Sequence, residues 1–297
     1  MILVCGATGV LGGLITRRLL AEGRKVRILV RNSSPAEAMA LQGMATSPRM
    51  LIASGAQPVY GDLKEKGTLV EALKGVETVI TTANSAMRGS PDTVDTVDRQ
   101  GNRNLIEAAK ATGVNQFIFI SFLGADLRHP VPLFQAKAET EALLSKNGMT
   151  YTILAPNFFM ESWAGMVIGL PLRANMPVTL VGEGKRQHSF IAIADVAAFA
   201  TSAVGLPAVY NKRIPLGGPE AVSWQGIVNA FDYELGIHLP VQNVLPGEPI
   251  PGLPEIVAPT LAAMETYDSF IPMEETARLF GVKQIPLPAI VHQMLTA

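Results

Sequence analysis

Three glycines at regular spacing follow the first apolar run of the chain, and they constrain its fold more than any other feature. Ile2–Cys5 leads into Gly6, and apolar residues recur at helical spacing after the glycines. A buried strand, a glycine turn and a helix are therefore predicted. Glycines let a backbone approach a phosphate closely, and the helix start offers unpaired N–H groups and the positive end of its dipole. The segment predicts a dinucleotide site formed by Gly6, Thr8, Gly9, Val10, Leu11 and Gly12.

Strand and helix signals alternate through the first half of the chain. Further strands are predicted at 26–30, 59–60, 78–82, 117–120 and 151–154, and helices at 11–20, 69–73, 94–112 and 133–146. Such alternation predicts a doubly wound, parallel Rossmann sheet of the α/β class, with helices on both faces. In the second half, strands are expected at 178–181, 190–193 and 213–216, and helices near 193–204, 224–235 and 274–280.

Proline and glycine become dense in the second half, which indicates a different kind of structure. We expect an NAD(P)-binding Rossmann core at 1–155 and a smaller α+β, mainly substrate-binding lobe at 156–297, with about 188–216 returning to the core. Ligands of doubly wound sheets bind outside the carboxyl ends of the strands. We therefore expect a small hydrophobic or aromatic substrate in the crevice between the two parts.

Composition excludes several classes of function. The formal net charge of −1 gives no electrostatic argument for binding nucleic acid or an anionic membrane, since either usually needs a concentrated basic patch. No apolar stretch reaches the roughly 18 residues that a membrane span needs. A single cysteine excludes an intramolecular disulfide, and the four histidines lack metal-ligand spacing, so no metal is expected. We expect a cytoplasmic protein that is a monomer or a homodimer.

The residue after the second predicted strand indicates which dinucleotide is preferred. An acidic residue there would bind the adenosine ribose and repel a 2′-phosphate. The sequence has Arg31 instead, whose guanidinium could donate charge-assisted hydrogen bonds to that phosphate. NADP(H) is therefore favoured over NAD(H), the alternative being an arginine with only a surface role.

Characteristic segments follow one another over about the first two-thirds of the chain. They are GATGVLGG, VRILVRN, YGDL, LKGVETVI, GNRNLIEAAKATGV, FIFISFLGAD, KAETEALL, YTILAPNFFMES and FIAIADVAAF. In order and spacing they resemble the NmrA-like family of atypical short-chain dehydrogenases and reductases. That family includes triphenylmethane reductases, quinone reductases, isoflavone-reductase-like enzymes and redox-sensing regulators. The segments do not specify a substrate.

The resemblance implies further cofactor contacts, each made by residues that follow a predicted strand. It implies that Asp62 and Leu63 contact the adenine. Thr82, Ala83 and Asn84 would lie along the ribose and nicotinamide side of the cofactor, and Pro156, Asn157 and Phe158 would face the nicotinamide itself. Ser121 ends the fifth strand, where the family places catalytic or substrate-facing groups.

One position departs from the pattern of conventional short-chain dehydrogenases. Lys137 matches the lysine of their Tyr-x-x-x-Lys pair, but Leu133 stands where the tyrosine would donate a proton. Lys137 could still bind the nicotinamide ribose, or act as an acid or base if desolvation lowers its pKa. The alternative is an exposed helix lysine paired with Glu141.

Together these features predict an NAD(P)H-dependent oxidoreductase that passes hydride to a small, flat, hydrophobic acceptor such as a quinone or dye. Ser121 and Lys137 are the candidate catalytic residues. Because leucine replaces the tyrosine, two other classes stay open. One is a non-catalytic NADP(H)-binding redox sensor, and the other is an assembly factor that uses the same core only as a scaffold. The intact glycines argue against the scaffold but do not separate the sensor from the reductase.

Overall fold

In the computed structural model the strands of the first half belong to one sheet. The structure describes residues 1–32, 39–40, 45–86, 88–250, 252–253 and 257–296. The chain divides into two compact units. The first comprises Met1–Pro156 and Val196–Pro215, and the second comprises Asn157–Asp195 and Leu216–Ala297.

Seven strands make the main sheet. They are β1 (Ile2–Cys5), β2 (Val26–Val30), β3 (Gln57–Tyr60), β4 (Thr78–Thr81), β5 (Gln116–Ile120), β6 (Thr150–Pro156) and β8 (Lys212–Leu216). Their order is β3-β2-β1-β4-β5-β6-β8, and the pairs from β3 to β6 are all parallel. The order reverses between β1 and β4, so the loops after these strands leave the sheet side by side at its carboxyl edge.

The central strands of this sheet are buried on both faces. Leu3, Val79 and Phe117 belong to one hydrophobic cluster. Their neighbours Val4 and Ile80 are also fully buried, and successive strand side chains point to opposite faces. A sheet apolar on both faces needs helices on each, which confirms the predicted α/β class.

Helices connect the strands of the first unit. They are α1 (Val10–Ala21), α2 (Pro48–Ala53), α3 (Lys66–Ala72), α4 (Gln100–Ala111), α5 (Pro132–Lys146) and most of α8 (Ile193–Ser202), with a 3-10 turn at Pro207–Val209. A π-helical turn at Val94–Arg99 precedes α4, where one continuous helix is predicted. α2 was not predicted from the sequence, although Ser47 caps it and Pro48 begins it.

The second unit is mostly helical. It contains α6 (Met160–Ala164), a π-helical turn (Gly165–Gly169), α7 (Leu170–Arg173), α9 (Trp224–Leu235), α10 (Val257–Met264), α11 (Glu274–Phe280) and α12 (Leu287–Thr296). β7 (Val178–Val181) and β9 (Val241–Val244) form a two-stranded parallel sheet. None of the helices in the described part of the chain combines the length and apolar character needed to cross a membrane.

The strand predicted at 190–193 is wrong. These residues are buried, but the segment makes only isolated bridges, between Phe159 and Ile191 and from His188 to Val222 and Ser269. Each bridge involves a different neighbouring segment, so no ladder forms. The apolar run reflects burial of an irregular segment, and α8 begins at Ile193.

Candidate functional site

The glycine turn folds tightly onto the end of β4. Gly6 has a φ of +82°, which favours glycine, and a Cβ there would lie 2.6 Å from Thr82 Oγ1 and 2.9 Å from the Ala83 nitrogen. A Cβ on Gly12 would lie 2.1 Å from the Gly6 oxygen. The structure therefore brings Gly6, Gly12, Thr82 and Ala83 together, and internal packing alone requires the first two to be glycine.

Gly9 is different, because its own backbone does not require glycine. It precedes α1 with φ −75° and ψ 164°, which any residue can adopt. A Cβ there would lie 3.3 Å from the Gly6 oxygen, a tight contact that a shift of a few tenths of an ångström would relieve. Most helices prefer a capping side chain at this position, yet α1 has none and has no acidic residue in its first turn. A bare helix start is what a pyrophosphate needs, so the turn fits a dinucleotide.

Other predicted contacts lie around this turn. The Thr8 oxygen accepts a hydrogen bond from the Thr46 nitrogen at 2.8 Å. Val10 is 42% exposed at the helix start, whereas Leu11 is buried. The Asn84 side chain bonds to the backbone on either side of it. Its Nδ2 donates to the Thr82 oxygen at 3.2 Å, and its Oδ1 accepts from the Ala86 nitrogen at 2.9 Å.

Arg31 belongs to a charged cluster after β2. Its Nη1 lies 2.5 Å from Asp92 Oδ2, and Lys64 Nζ lies 2.5 Å from the other oxygen of the same carboxylate. Arg88 also reaches Asp92, at 3.3 Å. Lys64 and Arg31 lower the pKa of the Asp92 carboxyl to about 2, against the opposing effect of burial, which is the largest single influence on it. The sequence predicted Arg31 but neither Lys64 nor Asp92.

Asp62 and Leu63 lie beside this cluster but differ in environment. Asp62 holds Lys64 in two ways, through an ion pair of 3.0 Å and by accepting the Lys64 backbone N–H at 2.9 Å. The Leu63 side chain is buried in the core cluster, and the Leu63 oxygen accepts from Asn104 Nδ2 at 2.9 Å. Only main-chain atoms and the Asp62 side chain are thus available for a nucleotide here.

Lys137 extends from α5 to the carboxyl end of β5. Its Nζ donates to the Ile120 oxygen at 2.9 Å and lies 5.3 Å from the centre of the Phe119 ring. The side chain is partly exposed along its length, but burial of the amine lowers its pKa, while the Asp98 and Glu141 carboxylates oppose that effect. Lys137 is therefore not a solvated surface lysine, although Leu133 leaves it without the usual tyrosine.

Asp98 is a buried acid near Lys137 that sequence reasoning missed. It is 1% exposed, and its Oδ2 accepts hydrogen bonds from the Ser85 nitrogen and hydroxyl. Its Oδ1 has no hydrogen-bond partner among the residues that the structure describes. Burial raises the pKa of Asp98, opposed by Ser85 and Lys137. The sequence does carry a signal for the burial of Asp98. It lies seven residues before the buried Leu105, a spacing that places two residues on the same face of a helix.

Ser121 is held by an ion pair. Its hydroxyl donates to Glu141 Oε1, and Arg213 Nε lies 2.8 Å from Glu141 Oε2. Arg213 also donates to the oxygens of Phe122 and Leu123, which follow Ser121. Ser121 is buried, so the structure gives its hydroxyl a clear role in fixing the loop after β5.

The boundary between the two units separates Pro156 from Asn157 and Phe158. Pro156 ends β6, and its oxygen accepts from the Leu123 nitrogen at 2.9 Å. Asn157 and Phe158 are buried in the second unit. There Asn157 Nδ2 donates to Ser269 Oγ at 3.0 Å, and Phe158 packs edge-on against Trp163.

Proteins of two kinds are among the relatives that are similar in sequence. The photosystem II assembly factor Ycf39 of Cyanophora paradoxa is 34% identical over 243 residues, 82% of this chain and 71% of that protein. The NAD(P)H azoreductase of Xenophilus azovorans is 32% identical over 236 residues, 80% of this chain and 74% of that protein.

Solved structures share the fold over the whole chain. An NADPH-dependent quinone oxidoreductase from Escherichia coli in complex with NADPH gives a TM-score of 0.78 at 24% identity, covering 99% of this chain and 100% of that one. The Citrobacter triphenylmethane reductase complexed with NADP(H) gives 0.77 at 20% identity, covering 99% of both chains. Residues 1–277 match the NmrA-like family, and the chain therefore belongs to that family.

Proposed function

We propose that this protein is an NAD(P)H-dependent reductase that passes hydride to a small, flat, hydrophobic acceptor such as a quinone or an azo or triphenylmethane dye. The observation that carries the proposal is the start of α1, where Gly9 provides no capping side chain although its backbone conformation does not require glycine. The azoreductase relative and the reductases that share the fold support the same class. Cytoplasmic localisation and the monomer or homodimer state stay predictions from the sequence.

The residues that would hold the cofactor follow successive strands. The turn from Gly6 to Gly12 and the start of α1 would bind the pyrophosphate, Arg31 a 2′-phosphate, and Asp62 and Thr82 to Asn84 the adenosine and ribose. When bound, NAD(P)H supplies the hydride. This chain positions the two reactants and excludes water. Because Leu133 replaces the proton-donating tyrosine, acceptors that need little proton donation are favoured.

Lys137 is the residue best placed to handle a proton. Its amine is desolvated, and the nearby carboxylates of Asp98 and Glu141 favour its charged form. An ammonium held at the Ile120 oxygen can donate a proton, or orient a ribose hydroxyl, where a tyrosine is missing. Ser121, fixed to Glu141, would shape the loop that faces the acceptor.

The test is a steady-state assay of NADPH and NADH oxidation with a panel of quinones and of azo and triphenylmethane dyes. Turnover of at least one acceptor is expected, with NADPH the better donor. Tight cofactor binding without turnover of any acceptor would contradict the reductase proposal.

A glycine comparison tests the cofactor site separately. Gly9→Ala should weaken dinucleotide binding about tenfold through a steric clash while leaving thermal stability close to wild type. Gly67→Ala, where a Cβ meets nothing within 4 Å, is the matched control and should change neither. Gly9→Ala that binds NADPH like wild type would remove the observation on which the proposal rests.

A second candidate function is a non-catalytic one. Leu133 replaces the proton-donating tyrosine, and several similar sequences are photosystem II assembly factors. A redox sensor would bind NADP+ and NADPH with different effects on a partner, whereas a pure scaffold would bind neither. Calorimetry with both cofactor forms separates the scaffold from the other two candidates, and the turnover assay separates the reductase from the sensor.

A further inference from the structure

We propose that Asp92 competes with the adenosine 2′-phosphate for Arg31, Lys64 and Arg88, so that its carboxylate must leave these cations before NADP(H) can bind fully. This inference rests on the proposed function, because it concerns the same dinucleotide site. It makes Asp92, Lys64 and Arg88 determinants of cofactor preference alongside Arg31.

The geometry of the cluster is that of an anion site filled by a side chain. Three cations from three segments converge on the two oxygens of one carboxylate, at 2.5, 2.5 and 3.3 Å. The Asp92 side chain is 10% exposed, whereas those of Arg31 and Lys64 are each 25% exposed. Arginine and lysine together bind carboxylate and phosphate oxygens by the same charge-assisted hydrogen bonds.

The charge balance favours an exchange of anions. Among the residues that the structure describes, Arg31, Lys64 and Arg88 face the carboxylates of Asp62 and Asp92, which gives this set one net positive charge. Without Asp92 it would carry two, which matches the charge of about −1.5 to −2 on a phosphate monoester near neutral pH. A 2′-hydroxyl brings no charge, so NAD(H) has no means of displacing Asp92.

The sheet order explains how Asp92 reaches these cations. Arg31 and Lys64 follow the adjacent strands β2 and β3, while Asp92 follows β4 on the far side of β1. The segment that ends in Asp92 begins at Thr82, which contacts the glycine turn. One connection thus runs from the predicted pyrophosphate position to the predicted 2′-phosphate position, where its carboxylate lies among the cations.

The experiment measures nucleotide binding by calorimetry, with adenosine 2′,5′-bisphosphate and adenosine 5′-monophosphate as probes and NADPH and NADH as full cofactors. Asp92→Asn should bind the bisphosphate and NADPH about fivefold more tightly than wild type, because an ion-pair competitor is lost, and should bind the monophosphate and NADH unchanged. Asp95→Asn is the control. It removes the same charge three residues further along the chain, and the Asp95 side chain is 78% exposed.

Lys64→Met provides a second arm that does not depend on the Asp92 loop. It should weaken the bisphosphate and NADPH severalfold and leave the other two ligands unchanged. Weaker bisphosphate binding by Asp92→Asn, equal tightening of both probes, or an unaltered preference in Lys64→Met would overturn the competition. If wild type binds NADPH and NADH but these variants show no selective change, only this inference fails. If wild type binds no nucleotide, the proposed function fails as well.

Discussion

Two groups of charged side chains follow the strands of the first unit, and they are built in opposite ways. Around Asp92 the charges touch: three cations neutralise one carboxylate in direct ion pairs, and its pKa is held near 2. Around Lys137 neither nearby carboxylate bonds to the amine, because Asp98 bonds to Ser85 and Glu141 to Ser121 and Arg213. The Lys137 amine bonds to a carbonyl instead.

The difference separates binding from proton chemistry. Ion pairs in contact keep every partner charged near neutral pH, so such a cluster can recognise an anion but cannot exchange protons. A desolvated amine that carboxylates influence from a distance can change its charge. We therefore propose that the Asp92 cluster discriminates between the cofactors and that Lys137 carries any proton transfer.

Lys137→Met gives the largest expected effect. Loss of the amine should lower kcat/KM about a hundredfold with the best acceptor, in line with the contribution of a positioned acid or base. NADPH affinity, measured by calorimetry, should fall much less. Lys146→Met, on the exposed last turn of the same helix, should retain wild-type rates. Full activity of Lys137→Met would break the assignment.

Arg31→Asp tests the other side of the comparison. It should weaken NADPH binding about thirtyfold, the value of a hydrogen bond to a charged group, and change NADH binding little. Titration of cofactor fluorescence measures both affinities. Arg24→Asp makes the same charge change before β2 rather than after it, and should alter neither. Equal affinity of wild type for the two cofactors would remove the proposed role of Arg31.

Asp98→Asn sharpens the assignment of Lys137 through the pH profile. Asp98 raises the pKa of Lys137 against the larger, lowering effect of burial. If the charged amine donates the proton, activity is lost as pH rises through that pKa, and Asp98→Asn should move this loss to lower pH. Glu139→Gln, which removes a carboxylate paired with Arg99, should leave the profile unchanged. An upward shift in Asp98→Asn would contradict the scheme.

Asp92→Asn should show the smallest effect, on stability. The folded-state pKa of about 2 lies below the ordinary value of 3.8, so the carboxylate contributes stability above 3.8 that is lost as pH falls through about 2. At pH 7 urea unfolding should show a loss of about 1 kcal/mol, which shrinks in acid. Asp126→Asn, at an exposed pair of 3.8 Å, should cost nothing measurable.

Much of the fold follows from local sequence patterns. β1 is an apolar run buried at every position, and β2 is apolar except at the half-buried Arg27, so the predicted bounds of both strands match the structure. The same reasoning failed at Phe190, where an irregular segment is equally buried. β9 was missed because its residues are largely exposed and show no apolar signal.

The site was predictable only where one segment carries it. The glycine turn and Lys137 lie in contiguous motifs. The Asp92 cluster joins side chains 61 positions apart, such as Arg31 and Asp92, and only the order of strands in the sheet makes them neighbours. No periodicity within the chain encodes that proximity.

The connection after β4 has a consequence for engineering this protein. It contacts Gly6 at one end and supplies the counter-charge for Arg31 at the other. Exchange of a single loop between homologues could therefore redirect the protein from one nicotinamide cofactor to the other. The glycine turn, β2 and the lysine on α5 would all stay as they are, so selectivity could change without rebuilding the parts that fold the domain or handle the proton.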